Sequence, residues 1–337
     1  MKILPRFLPL LLGLAVAASS ARADAFALNR RLGRGVNILS ADPVWKNPAA
    51  GRMTAAHFAL LRAAGFRNVR IPIHPFRAVV DPVHFILDPK FLATLDWAIR
   101  TALKNDLLPI VDLHDYHEMS ADPLGRRPMF LAVWQQLAVH CRDYPEEVLF
   151  ELCNEPNIRP ALWNELQDAA RRVIRASNPR RTLVIGTVYG NQIQYLKDLK
   201  LPDDDRNLID AIHYYEPIVF THQGAPWSKK GKDQKNVSWT ATAAQQAAVV
   251  QAFDVAQAWS RENDRPLTLG EFGAYGKAAM TDRQIWTNFI AREAERRGWS
   301  WSYWQFDSDF VLYDHAAQHW VEPILDALIP AVAKTNP

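Results

Sequence analysis

Eight short apolar runs, alternating with segments of helical spacing, constrain this chain more than any other feature. The runs cover residues 35–39, 68–73, 107–114, 148–154, 182–186, 208–215, 267–272 and 300–306 and are rich in β-branched and aromatic side chains. Near-continuous apolarity over so few residues suits strands buried on both faces, as in a parallel sheet. Between them, residues 54–64, 89–104, 129–143, 161–177, 241–263, 282–297 and 321–333 place apolar side chains at i, i+3 and i+4. Thr240 and the Thr281-Asp282 pair offer N-caps for two of these helices. Residues 191–199 are too short to assign. Strand–helix alternation repeated eight times predicts an α/β chain closed into a (β/α)8 TIM barrel, with the open doubly wound sheet as competitor. No Gly/Ser-rich or Pro-rich linker breaks the series, so a single domain is expected.

The first 23 residues stand outside that argument. Lys2 and Arg6 precede an apolar stretch at 7–18, and Ala21-Arg22-Ala23 follows with small residues in an A-x-A pattern. This is the pattern of a secretory signal peptide, too short to span a bilayer as a helix. Cleavage after Ala23 is expected to leave a catalytic domain at 24–337, secreted or periplasmic. Lys2, Arg6 and Arg22 account for the whole formal charge of +3, and no acidic residue precedes Asp24. The remainder is therefore neutral, with no electrostatic footprint for nucleic acid or, once the signal is removed, for a membrane. Two cysteines, Cys141 and Cys153, make no disulfide framework and lack C-x-x-C spacing. Two buried thiols are expected rather than a bridge.

Polar residues gather at the ends of the runs. Arg70 lies in the second, His114 closes the third, Asn154 and Glu155 the fourth, His213 and Tyr215 the sixth, Glu271 the seventh and Trp304 the eighth. In a (β/α)8 barrel these are the positions that build the active site. Burying so many polar groups without partners would cost several kcal/mol, roughly, so they should face one another or a ligand. Two carboxylates on facing strand ends are what glycosidic cleavage requires, one to protonate the departing oxygen and one to attack the anomeric carbon or activate water. A neighbouring Arg70 would keep Glu271 ionised and Tyr215 would donate to it, as suits a nucleophile. Glu155 must hold a proton near working pH, and the Asn154 amide beside it can reach a sugar hydroxyl.

These strand ends also carry a family resemblance. Leu152-Cys153-Asn154-Glu155-Pro156, Arg70-Ile71-Pro72, Asp112-Leu113-His114, His213-Tyr214-Tyr215 and Gly270-Glu271-Phe272-Gly273 resemble the successive motifs of glycoside hydrolase family 5, the cellulase family. The resemblance begins at the segment ending in Gly35-Val36-Asn37 and reaches Trp304 and Tyr313-Asp314. It implies Glu155 as acid/base, Glu271 as nucleophile, and Asn37, Arg70, His114, Asn154, His213 and Tyr215 as support, with Trp304 as an aromatic floor beneath the sugar. Thr221-His222-Gln223-Gly224-Ala225 with Trp227 resembles a loop of bacterial endoglucanases in that family. Many of those enzymes carry a second histidine where this chain has Asp115, which would change the hydrogen bonds offered to a hydroxyl.

Twelve tryptophans fit a sugar ligand, because apolar sugar faces stack on indole rings. After Trp304 the candidates are Trp45 and Trp227, in predicted loops, whereas Trp97, Trp134, Trp259 and Trp286 read as helix packing. His114-x-x-His117-Glu118 sits at a strand end and is not a zinc motif, so no metal and no organic cofactor is expected. The expected partner is a β-linked polysaccharide or oligosaccharide and the expected state a monomer. The reaction expected is double displacement on a β-1,4-glucan, with β-mannan, β-1,3-glucan or mixed-linkage glucan as alternatives. A non-catalytic carbohydrate-binding barrel is the rival of another class.

Overall fold

The computed structural model describes residues 25–331; the expected signal sequence at 1–23 lies outside them. Eight parallel strands close into a barrel: β1 (Arg34–Asn37), β2 (Asn68–Ile73), β3 (Leu108–Leu113), β4 (Leu149–Glu151), β5 (Leu183–Gly186), β6 (Leu208–His213), β7 (Leu267–Glu271) and β8 (Ser300–Tyr303). Each pairs with its sequence neighbour, and β1 closes the ring against β8 with Gly35 opposite Ser302. The eight expected strands are all present. β4 and β6 are shorter than expected, and beyond them Asn154, Glu155, Tyr214 and Tyr215 line the mouth of the barrel while Leu152 and Cys153 stay in the core.

The surrounding helices are α1 (Ala25–Leu32), α2 (Ala55–Ala64), α3 (Pro89–Lys104), α4 (Pro123–His140), α5 (Pro160–Arg175), α6 (Ala243–Asn263), α7 (Met280–Arg296) and α8 (Glu322–Leu328). Their ends follow local chemistry. Thr54 and His57 form a capping box on α2, and Gly65 closes it in a left-handed conformation at φ 112°. Asp88 caps α3 ahead of a proline at the first helical position. Asp122 and Pro123 begin α4 in the same way, six residues before the apolar spacing becomes regular at Met129. Two expected caps move. Thr242, not Thr240, caps α6, because its hydroxyl accepts from Gln245 N while Gln245 reaches back. For α7 the N-cap is Ala279, and the Asp282 carboxylate instead accepts from the Trp239 amide at 2.9 Å. The last helix, expected to run to residue 333, ends at Leu328.

Phe58, Leu95, Trp134, Trp163, Phe253 and Trp286 pack the helical layer onto the barrel. A second, smaller core fills the lower barrel, where α1 supplies Ala25 and Leu32 against Leu108, Ile110, Leu149, Val184, Ile209 and Ala211. Asn29 of α1 donates to the Leu267 carbonyl at 2.9 Å and accepts from Ser300 Oγ at 2.6 Å, at the starts of β7 and β8. With that end plugged, the cleft opens at the other. Cys141 and Cys153 are buried free thiols. No helix among the described residues is long and apolar enough to cross a membrane.

Candidate active site

At the C-terminal ends of the strands lies a cleft of about 640 Å³. His114, Asn154, Glu155, His213, Tyr215, Trp227, Glu271 and Trp304 line it, together with Tyr116, Gln192, His222, Asp309 and Phe310.

Arg70 organises its floor. The guanidinium is wholly buried and forks onto Glu151, with Nε 2.6 Å from Oε2 and Nη2 2.8 Å from Oε1. Nη1 donates to Asn37 Oδ1 at 2.9 Å and to Glu271 Oε1 at 2.7 Å. Nη2 also reaches Asn154 Oδ1 at 2.9 Å and Asp112 Oδ2 at 3.1 Å. Asn37 is held by donating to the carbonyls of Gly270, Ser302 and Tyr303, so strands β1, β2, β7 and β8 meet through one side chain. Burial opposes the charge on Arg70, but Asp112, Glu151 and Glu271 around it hold it firmly protonated. A planar fork that satisfies several carboxylates at once needs arginine rather than lysine.

Glu271 receives a second donor, Tyr215 Oη at 2.9 Å from Oε2. Tyr215 is aimed by a shift of register between β6 and β7 at Ile212/His213, after which the Tyr214 amide bonds the Glu271 carbonyl at 3.0 Å. Glu155 sits on strained backbone at φ 39°, just beyond the end of β4. Its Oε1 lies 2.7 Å from His213 Nδ1, which is 3.6 Å from Glu271 Oε2. One carboxylate oxygen of each glutamate and a ring nitrogen of His213 lie within 4.8 Å of one another. Arg70 supplies a positive charge on the Glu271 side of this set.

Burial pushes both glutamates above the ordinary carboxylate range. His213 and then Arg70 oppose that rise in Glu271, and His114 and then Arg70 oppose it in Glu155. The histidines are themselves depressed by burial, His114 to about 3 and His213 to about 4, and are neutral at ordinary pH. The permanent cation is thus Arg70, and it touches Glu271 and not Glu155. Asp112, pushed by burial up to about 7, holds His114 Nδ1 at 2.6 Å. His114 lies parallel to Trp304 at 5.6 Å and 7°, which sets the indole plane at the mouth. Asn154 spends Oδ1 on Arg70, leaving its amide nitrogen as a donor 3.5 Å from His114 Nε2.

Four expected residues do not line the cleft: Asn37 and Arg70 lie buried beneath it, and Trp45 and Asp115 are engaged elsewhere. Trp45 donates its indole N–H to the Leu39 carbonyl at 2.7 Å and packs on Phe91. Asp115 is fully buried and binds the Phe76 amide at 2.7 Å and His74 Nδ1 at 3.2 Å, so its carboxylate braces the 74–76 turn instead of facing a hydroxyl. Trp227 is in the cleft wall and 52% exposed, edge-on to Tyr275. Sequence reasoning passed over Glu151, although an acid inside the run Leu149-Phe150-Glu151-Leu152 needs a buried cation and Arg70 was at hand. It also missed Tyr116 and Asn191, for which no local pattern gives a signal.

A (β/α)8 barrel with two carboxylates facing each other across an arginine-braced mouth is the frame of a glycosidase. The family model described as cellulase (glycosyl hydrolase family 5) matches residues 29–309, and the chain belongs to that family. Among curated relatives, endoglucanase H of Acetivibrio thermocellus is 28% identical over 93% of this chain, and endoglucanase 3 of Fibrobacter succinogenes 22% identical over 84%. This chain spans only 34% and 51% of those relatives' own lengths. Among solved structures, Thermotoga maritima Cel5A in complex with mannotriose is 38% identical with a TM-score of 0.85, covering 91% of this chain and 100% of that one. The same protein in complex with cellobiose gives 37% and 0.86 at the same coverage. The cellulose synthase subunit Z of Clostridioides difficile gives 34% and 0.83, covering 88% of this chain and 99% of that one.

Proposed function

We propose that this protein is an exported retaining β-glycan hydrolase that cleaves β-1,4-glucan by double displacement. The observation that carries the reading is the pair Glu155 and Glu271, with carboxylate oxygens within 4.8 Å across the mouth and only Glu271 in contact with a guanidinium. Retention goes with carboxyl groups about 5–5.5 Å apart, whereas inversion leaves about 6.5–9.5 Å for a water. Glu271, held by Arg70 and Tyr215, attacks the anomeric carbon and forms a glycosyl-enzyme. Glu155 gives its proton to the departing oxygen and then takes one from the water that releases the sugar. Arg70 favours the ionised nucleophile before attack, and Tyr215 orients the attacking oxygen. Trp304 offers its face to the ring at the cleavage point, and the Asn154 amide is placed to donate to a neighbouring hydroxyl.

The endoglucanase names of the relatives and the cellobiose complex of the Thermotoga structure support a glucan. The mannotriose complex of that same protein supports β-mannan as the second reading. Export rests on the residue pattern at 1–23. The test is proton NMR of the first anomer released from a cello-oligosaccharide, with product profiling on cellulosic, mixed-linkage, β-1,3-glucan and mannan substrates. A β-anomer at early times is expected; an α-anomer would sink the mechanism. Wild type and Glu271→Ala behaving alike on an aryl β-cellobioside would return the chain to a binding role.

A further inference from the structure

Between β5 and a short 3-10 turn at Ile193–Asp198, three successive residues take left-handed backbone: Tyr189, Gly190 and Asn191, at φ 55°, 85° and 51°. For a non-glycine residue that conformation costs roughly 1–2 kcal/mol, and it persists only where surrounding contacts hold it. Here the Tyr189 amide donates to the Pro156 carbonyl at 2.8 Å, and Thr187 Oγ1 donates to the Gln192 carbonyl at 3.0 Å. The segment is thereby tied to the residue after Glu155. It sets the fully buried Asn191 side chain against His213, with Nδ2 3.2 Å from Nε2. Two glycines leave the room. A Cβ on Gly186 would lie 2.2 Å from Asn191 Oδ1, and one on Gly270 3.0 Å from His213 Nε2.

We propose that Asn191 is a positioning residue for the acid/base step: by donating to His213 Nε2 it holds the imidazole as the Nδ1–H tautomer and so decides which oxygen of Glu155 carries the transferable proton. The proposal rests on the reading of Glu155 as the acid/base.

The ring's surroundings require this tautomer from both sides. Nδ1 faces Glu155 Oε1 at 2.7 Å and Glu271 Oε2 at 3.6 Å, and a lone pair there would be repelled by both. Glu151 and Arg70 complete the charged groups acting on the ring. A neutral imidazole has one proton, so with Nδ1 protonated Nε2 must accept. Asn191 Nδ2 is the partner of Nε2 among the described residues; the reversed amide would set an oxygen against a lone pair. Nδ1–H then donates to Oε1 whether Glu155 is ionised or not. The proton of the acid form is left on Oε2, which has no protein partner among the described residues. In the first step the Oε2–H bond breaks, its electron pair stays on Oε2, and the proton bonds to the departing oxygen. In the second step Oε2 takes a proton back from water.

The test uses the full chain and Asn191→Leu, which keeps the side chain's size and removes the donor. Two aryl β-cellobiosides are compared by kcat/KM, one with an acidic nitrophenol that departs without protonation and one with a weakly acidic phenol that needs it. General acid catalysis contributes about 100-fold to 10,000-fold, so a misplaced proton is expected to cost about 10-fold to 100-fold with the second substrate and little with the first. Equal losses on both would overturn the proposal in favour of a merely structural role. Nitrogen NMR of the imidazoles gives a second readout: wild-type His213 is expected to carry its proton on Nδ1, and a proton on Nε2 would overturn it. Failure of the wild type to cleave either glycoside would refute the glycosidase reading instead and would leave the NMR result to decide the tautomer.

Discussion

At the residue scale the site is governed by one buried cation shared among three acids. Asp112, Glu151 and Glu271 all lie within 3.1 Å of the Arg70 guanidinium. Removing one member of a buried ion pair typically costs about 3–5 kcal/mol, because the partner is left charged and unpaired. Arg70→Leu is therefore expected to lose about that much stability in urea denaturation at pH 7. The loss should shrink toward pH 5, as the orphaned carboxyls of the variant take up protons in the folded state. A loss independent of pH would mean that packing, not charge, is what Arg70 supplies. The residues that meet this cation were partly legible in advance, since Arg70, Asn154 and Glu271 stand at strand ends. Glu151 is harder to see, because the apolarity of the run around it masks a single acid. Asp115 and Trp45 were misplaced because position after a strand does not say which way a side chain turns.

At the scale of elements, each strand was recoverable because burial on both faces leaves a run with few polar interruptions. Boundaries were less so: β4 and β6 end where their neighbours stop pairing, which is a property of the sheet. Helix starts followed caps where a proline came next, as at Asp88-Pro89 and Asp122-Pro123. The helix α1 is not legible in the sequence. It is short, and its buried residues Ala25, Asn29 and Leu32 include a polar one whose partners come from β7 and β8. Asn29→Ala is expected to cost about 1–3 kcal/mol, the penalty for leaving the Leu267 carbonyl and the Ser300 hydroxyl buried without it. The check is a thermal melt together with the apparent KM; a fall in stability at unchanged KM places the effect at the closed end of the barrel. A variant as stable as wild type would show that α1 is held by Ala25 and Leu32 alone.

At the scale of the molecule, the buried titratable groups set how stability follows pH. Asp210 of β6 is fully buried with neither oxygen hydrogen-bonded, and burial pushes its carboxyl up to about 8 against Arg265 and Arg206. It is protonated when folded and ionised when unfolded across the interval from about 4 to about 8. Folding takes up a proton there, so stability falls as pH rises, by up to about 1.4 kcal/mol per pH unit. Asp210→Asn is expected to flatten that slope and to exceed wild type at pH 8 in urea denaturation; parallel pH curves would contradict it. His114 and His213 work at the acid side, since their depressed values mean that protonation of the unfolded chain below about 6.5 draws the balance away from the folded state. The sequence by itself determined the barrel, because eight doubly buried strands separated by amphipathic helices have few other ways to cover their apolar faces. It also placed Glu155 and Glu271 at strand ends, since strand order alone brings those ends to one mouth. Only the tertiary structure decided the rest: that Glu151 shares Arg70, that Asp115 turns away, and that Asn191 meets His213. Those contacts join residues far apart in the chain, and their geometry is set by packing across strands, which no local pattern records.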